Sequence, residues 1–223
     1  GFDAQRFREQ VHLDRFPQAE AAARELLDRA VPLVRPKAMY GASYVEARDA
    51  EGVSLDGVGF RSSVLARNLE PVDRVFPYVA TCGTELEELQ RESQDLLAQY
   101  WLDALKEMAL GRAREALRAQ VGQRFGLEPA KLSSMNPGSG NRNLWPISQQ
   151  APLFSLLGDV ERGIGVRLTD SFLMIPNKTV SGILFPTEVR FESCQLCSRP
   201  DCPRRRVPFE ATREAAGTAA GHD

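Results

Sequence analysis

From residue 84 to about residue 124 the chain contains no proline, and Trp101, Ala104, Leu105, Met108, Ala109, Leu117 and Val121 recur at steps of three and four. That spacing puts apolar side chains on one side of a helix, because 3.6 residues make a turn. A helix of this length needs a matching apolar surface, so the rest of the chain must supply partner helices or a sheet. Thr84, with Glu87 three residues on, fits a capping box at the start. Gly111 is the expected point at which the helix bends or two helices meet.

The flanking segments favour a sheet. Met39, Tyr40, Tyr44 and Val45 suggest a strand, residues 49–52 (Asp-Ala-Glu-Gly) a turn, and residues 53–55 the return. Residues 62–69 read as a short helix. Residues 75–82 read as a buried strand ending at Gly83, although Pro77 would suit an edge strand, where a missing N–H costs nothing. Near the N-terminus, Phe16-Pro17 opens a first helix with an apolar side at Leu26, Leu27 and Ala30, closed by Pro32 and Pro36. Residues 133–145 have the composition of a loop, and Pro146 begins a short helix to about Leu157. Residues 166–168 and 172–175 look like paired strands around Thr169-Asp170, and residues 179–185 like a further strand. The mixture is α+β, a sheet with flanking helices, rather than regular strand–helix alternation. One domain over residues 1–209 is expected, with a cysteine-rich metal-binding segment at 194–206 and a frayed tail at 210–223.

Composition narrows the function classes. The 223 residues carry a net charge of −2, so there is no general pull toward nucleic acid or anionic lipid. No apolar run approaches the ~20 residues of a membrane span, and the N-terminus has no signal-peptide core, so the expected location is cytoplasmic. The chain has only two histidines, His12 and His222, both near its ends, which argues against a Ser-His-Asp constellation. Gly138-Ser139-Gly140 lacks the remainder of any phosphate-binding fingerprint.

Three of the four cysteines stand close together: Cys194, Cys197 and Cys202, in the spacing C-x2-C-x4-C. Two thiolates on so tight a turn can meet one metal, and in a reducing compartment a metal is favoured over a disulfide. Cys82 is the candidate fourth ligand. It stands at a strand end ahead of a helix start, where main-chain amides would favour a thiolate. Two metal readings stay open. An iron–sulfur cluster, of the four-iron kind, suits ligands drawn from separate segments and the proline after Cys202. A zinc ion would staple a loop-rich tail. Three unligated thiols are the third reading. Arg204, Arg205 and Arg206 are expected to dock an acidic redox donor or to neutralise the thiolates.

The stretch between the long helix and the cysteines is specific. Asn136-Pro137-Gly138, Trp145-Pro146 and Leu153-Phe154-Ser155-Leu156-Leu157 come first. They are followed by Ile164-Gly165-Val166-Arg167-Leu168-Thr169-Asp170-Ser171-Phe172-Leu173-Met174-Ile175-Pro176 and Val180-Ser181-Gly182. In order and spacing this resembles the activation (reactivation) domain of cobalamin-dependent methionine synthase. The resemblance implies an α+β fold with a twisted antiparallel sheet and flanking helices. It also implies binding of S-adenosylmethionine and reductive methylation of a cobalt(II) corrinoid. The family's Arg-x-x-Pro-Gly-Tyr loop maps onto Ser134, Pro137, Gly138 and Ser139, so serines stand at its arginine and tyrosine positions. A serine hydroxyl cannot clamp a carboxylate as a guanidinium does. Arg142, in the same loop, is the candidate replacement, and Glu115 falls about where the family helix carries a ligand-binding glutamate. The family's C-terminal tyrosine has no counterpart, since no tyrosine follows Tyr100. The cysteine cluster is absent from the large enzyme.

The resemblance therefore implies a stand-alone activator of a corrinoid protein or cobalamin-dependent methyltransferase, served by a low-potential electron donor. In it a cysteine-held cluster would act as electron relay. The competing readings are a redox or docking module that has lost the methyl-donor site, and a zinc-stapled, non-catalytic binding module of the same fold. Nucleic-acid binding through the arginines is disfavoured by the absence of any wider basic face.

Overall fold

A computed structural model of the chain describes residues 2–140, 144–188, 191–202 and 205–210. In chain order the elements are helices α1 (Ala4–Gln10) and α2 (Glu20–Ala30), then strands β1 (Lys37–Tyr40), β2 (Ser43–Arg48), β3 (Gly52–Leu55) and β4 (Val58–Arg61). Helix α3 (Ser63–Asn68), strand β5 (Arg74–Thr81), and helices α4 (Glu87–Glu92) and α5 (Leu96–Phe125) follow. Strand β6 (Leu132–Met135), helices α6 (Gln150–Leu157) and α7 (Val160–Ile164), the small hairpin β7 (Arg167–Leu168) and β8 (Met174–Ile175), and strand β9 (Thr179–Pro186) complete the set. The main sheet runs β4-β3-β2-β5-β9-β6, with β1 also on β5, and all of its pairings are antiparallel. The α+β fold with flanking helices expected from the sequence is the fold observed.

Strand β5 organises both layers. Every residue from Val75 to Thr81 is buried, because helices cover both faces. Phe76, Tyr78 and Ala80 point toward Leu110, Ala113, Leu117 and Val121 of α5. The alternate residues Val75 and Val79 face the opposite side, with α3 and α7. Pro77 is thus in a central strand and not at an edge. Its missing donor falls where β1 has ended at Tyr40 and β2 has not begun: opposite it stands Gly41, whose N–H donates to the Pro77 carbonyl at 3.0 Å. A non-proline there would return a second bond to the Gly41 carbonyl, so the proline costs one bond, at the break between β1 and β2 where the ladder ends.

The long helical stretch is divided, but elsewhere than the glycine suggested. The break lies at residues 93–95, and α5 runs for 30 residues straight through Gly111, about 45 Å at 1.5 Å per residue. Asp95 caps it, its Oδ1 accepting from the Leu97 N–H at 2.9 Å. Thr84 does not cap with its side chain; its carbonyl accepts from the Glu87 N–H. The first turns of α5 (Trp101, Leu102, Leu105) pack on Phe7, Val11 and Ala23 of the N-terminal helices. Its second half packs on the sheet, so one helix serves two cores in series. Helix α1 had no clear signature, being short with Phe7 as its one buried side chain. Ser133 and Ser134, read as loop, lie in β6 opposite Phe185 and Leu184. Among the described residues no helix is long and apolar enough to cross a membrane.

Candidate functional site

The loop after β6 is built by its own residue types. Pro137 and Gly138 occupy the two central positions of a turn closed by the Ser139 N–H on the Asn136 carbonyl, 3.1 Å. Gly138 has φ +76°, the left-handed value that the third residue of a type II turn requires. Its N–H donates to the Trp145 carbonyl at 2.8 Å, which ties the two ends of the loop together. Pro137 is buried, Gly138 exposed and Ser139 half-buried, so the turn presents main chain to solvent from a fixed base.

That base is a chain of buried polar groups. Asn136 Nδ2 donates to Tyr78 Oη (2.8 Å) and to the Ser181 carbonyl (2.7 Å). Ser181 Oγ donates to Gln150 Oε1 at 3.0 Å, and Gln150 Nε2 donates to the Phe172 carbonyl at 3.1 Å. The turn is thereby linked through β9 and α6 to the β7–β8 hairpin. Gly182 makes room for it: a Cβ there would lie 2.3 Å from the Met135 carbonyl oxygen and 2.4 Å from Asn136 Nδ2. Buried amides satisfied in this way fix geometry, since an unmade bond costs about 1–3 kcal/mol.

Ser134 is 8% exposed and does not face the turn's solvent side. Its Oγ lies 3.5 Å from Nη2 of Arg118, whose Nη1 donates to the Leu132 carbonyl. A guanidinium from α5 therefore stands against Ser134, the residue onto which the family's arginine position maps. Glu115, exposed, is three residues before Arg118 on α5, so the two are neighbours on the helix surface. Glu115 also lines a cleft of about 320 Å³ with Arg6, Val34, Met108 and Arg112. Arg142 lies outside the described residues.

The cysteines part company. Cys82 is 2% exposed, and its Sγ–H donates to the Gly83 carbonyl at 3.2 Å. Burial pushes its thiol up from the ordinary 9.0 to about 11, against the opposing pull of the buried Lys106 ammonium. The expectation of a thiolate there is corrected: burial outweighs the Lys106 charge, and α4 begins only at Glu87, five residues further on. The Cys82 N–H bonds the Lys178 carbonyl, at the start of β9. The C-terminal segment leaves from the other end of β9, where the Phe191 N–H donates to Ser133 Oγ at 2.9 Å. The two places are roughly 20 Å apart along the strand. Cys194, Cys197 and Cys202 are half-buried, and among the described residues no three Cys, His, Asp or Glu side chains are grouped as a metal site.

Of the arginines after the cysteines, Arg205 turns onto the loop, while Arg206 is exposed. Arg205 donates to the carbonyls of Cys194 and Cys197, both at 3.1 Å, and to that of Arg199. Arg206 pairs with Glu192 at 3.0 Å. Arg204 is outside the described residues. Sequence reasoning missed Arg118, Gln150 and Tyr78. Only Asn136 carried a signal, as the residue ahead of Pro137.

No protein-family model matches the sequence, and no curated protein matches it. Among solved structures, the crystal structure of the MetH reactivation domain bound to AdoHcy aligns over 100% of this chain and 83% of its own, with a TM-score of 0.59 and 18% identity. The fold is that of the MetH reactivation domain. The MetH reactivation domain fold thus accommodates a Pro-Gly turn on a buried polar base here, with a cysteine loop packed beside it.

Proposed function

We propose that this protein binds an S-adenosyl ligand at the Pro137–Gly138 turn and supports reductive reactivation of a corrinoid carried by a partner protein. The observation that carries the reading is the Arg118 guanidinium against Ser134, on a fold shared over the whole chain with a domain crystallised with AdoHcy. The amino-acid end of such a ligand needs a cation for its carboxylate and an anion for its ammonium. Arg118, against Ser134 three residues ahead of Pro137, and Glu115, one turn before it on α5, offer that pair. Gly138, Ser139 and the polar base beneath them hold the ligand's position, and positioning is the main contribution a protein makes to such a transfer. S-adenosylmethionine supplies an electrophilic methyl group: one electron from a low-potential donor protein takes cobalt(II) to cobalt(I). Cobalt(I) then gives its electron pair to the methyl carbon while the C–S bond breaks, and the sulfur leaves as S-adenosylhomocysteine. The cysteine loop is the part of the chain suited to pass the electron, through an iron–sulfur cluster; a zinc staple is the alternative.

Isothermal titration of the full chain with S-adenosylmethionine and with S-adenosylhomocysteine tests the reading. Binding is expected, and Arg118→Gln is expected to weaken it about tenfold or more, the worth of one charge-assisted contact. Absence of binding to the wild-type protein overturns the methyl-donor role. The serines at 134 and 139 favour one second reading, a redox or docking module without a methyl-donor site. It predicts donor-driven cobalt(II) reduction on the partner that is indifferent to S-adenosylmethionine.

A further inference from the structure

Leu105, Met108, Ala109, Arg112 and Glu115 follow one another on α5 at steps of three and four, so they share one face of the helix. The face is apolar at 105–109 and charged at 112 and 115. All five residues line the cleft of about 320 Å³. Leu105 and Ala109 are only 2% and 4% exposed and form its floor, and Met108 and Val34 pack half-buried against the N-terminal core beside them.

The walls are held by bonds of their own. Asp3 caps α1, its Oδ1 accepting from the Arg6 N–H at 2.9 Å. Arg35 Nη1 donates to the Pro32 and Val34 carbonyls at 2.7 and 2.9 Å, which fixes the bend after α2. Phe2 closes one side, its ring 5.9 Å from that of Phe7. A cleft preformed in this way does not have to be ordered by its ligand.

The charges around the cleft differ in their commitments. Asp3 is engaged in its cap, and Arg112 has contacts of its own. The Arg6 guanidinium and the Glu115 carboxylate make no hydrogen bond or ion pair among the described residues. One uncommitted cation and one uncommitted anion therefore border the same apolar floor.

We propose that this cleft binds a small zwitterion with an apolar tail, of the apolar α-amino acid class. Its carboxylate lies on Arg6, its ammonium on Glu115, and its tail over Leu105, Met108 and Ala109. Charge-assisted bonds fix the head, and burial of the tail adds affinity with each methylene. The volume stands at the lower end of the range of small-molecule sites, which suits a ligand of amino-acid size. Glu115 is also assigned to the ammonium of the S-adenosyl ligand, so the two ligands are expected to compete. That competition alone rests on the function proposed above.

The test follows the Met108 methyl group by NMR in the full chain, labelled at its methionine methyls, with no S-adenosyl ligand present. L-Leucine is the probe, beside hexanoate, hexylamine and glycine. Leucine is expected to shift the Met108 methyl saturably, while that of Met135, buried in a different core, stays still. Hexanoate and hexylamine each lack one charge and should bind about tenfold more weakly, and glycine, without a tail, should leave the signal unmoved. Glu115→Gln should lower leucine to the affinity of hexanoate, and Arg6→Gln to that of hexylamine. Both residues are exposed, so neither variant threatens the fold. No saturable shift with leucine, an equal response to glycine, or leucine binding indifferent to both variants overturns the site. Hexanoate binding as tightly as leucine overturns the zwitterion. S-adenosylhomocysteine that binds by titration and leaves the leucine affinity unchanged overturns the sharing of Glu115 alone. Leucine binding by a protein that takes up no S-adenosyl ligand leaves the cleft standing and removes the S-adenosyl reading instead.

Discussion

The two ends of strand β9 each carry cysteine, and the same side chain serves opposite ends. At the Lys178 end, Cys82 is enclosed beside Lys106, whose side chain is fully buried and bonded to Glu87 and Gln90. Lys37–Glu85 (2.7 Å) and Lys178–Asp103 (2.9 Å) stand at the same end, so three lysines tie the sheet and α5 to one another and to the α4 segment. The thiol there is a packing group, held neutral by the surroundings that bury it. At the Pro186 end the half-buried cysteines stand on a loop anchored by Phe191 and Leu196 and shaped by bonds from the Arg205 side chain to its main-chain carbonyls. Reactivity belongs where the side chain is left uncommitted, and spacing in the sequence does not reveal which cysteine that is.

The largest effect that sharpens this contrast is expected at Lys106. Lys106→Met removes the cation while keeping its apolar stem, and leaves Glu87 and Gln90 without their partner. A loss of about 2 kcal/mol is expected in urea unfolding, less than the ~3–5 kcal/mol of a fully buried pair because Glu87 retains access to water. A change under about 0.5 kcal/mol would show that this end is not held by the ion pairs.

Next is the pH response of Cys82. Below pH 9 the thiol is neutral in both the folded and the unfolded chain. Between 9.0 and about 11 the unfolded chain ionises and the folded one does not. Stability relative to Cys82→Ala should therefore fall as pH rises through that window, with a slope of up to about 1.4 kcal/mol per unit. Parallel pH–stability curves for the two proteins would break the contrast, as would labelling of Cys82 by iodoacetamide at pH 8 in the native state.

The smallest effect is expected at Arg205. Arg205→Gln frees the carbonyls of Cys194, Cys197 and Arg199, with a global cost of about 1 kcal/mol, since the group is partly exposed. Its signature is local: amide hydrogen exchange should quicken in residues 193–202 and stay unchanged around Cys82. Uniform acceleration over the whole chain would mean that the loop is not an independent unit.

Much of the fold was legible because it rests on local regularities. The period of three and four gave α5, apolar runs ended by turn residues gave β5 and β9, and Asp49 with Gly52 gave the β2–β3 turn. The misplacements share a cause. Pro77 looked unfit for a central strand because a break in the neighbouring strands cannot be seen in β5 itself. Gly111 looked like a hinge because propensity is weak beside the packing of a long helix on two cores.

The candidate site divides in the same way. Pro137-Gly138 specifies its turn from its own backbone preferences, and the ordered motifs from Asn136 to Gly182 carried the likeness that the fold then bore out. What stands around that turn was decided by tertiary structure alone. Arg118 comes from a helix whose polar positions all look alike in sequence, and Gln150 reaches Phe172 and Ser181 only after α6 has docked. Short-range order follows from dihedral preference and hydrophobic period, which are written residue by residue. The partner of a thiol or a guanidinium depends on which distant segments the sheet brings together, and strand β9 separated Cys82 from the cysteines it had seemed to complete.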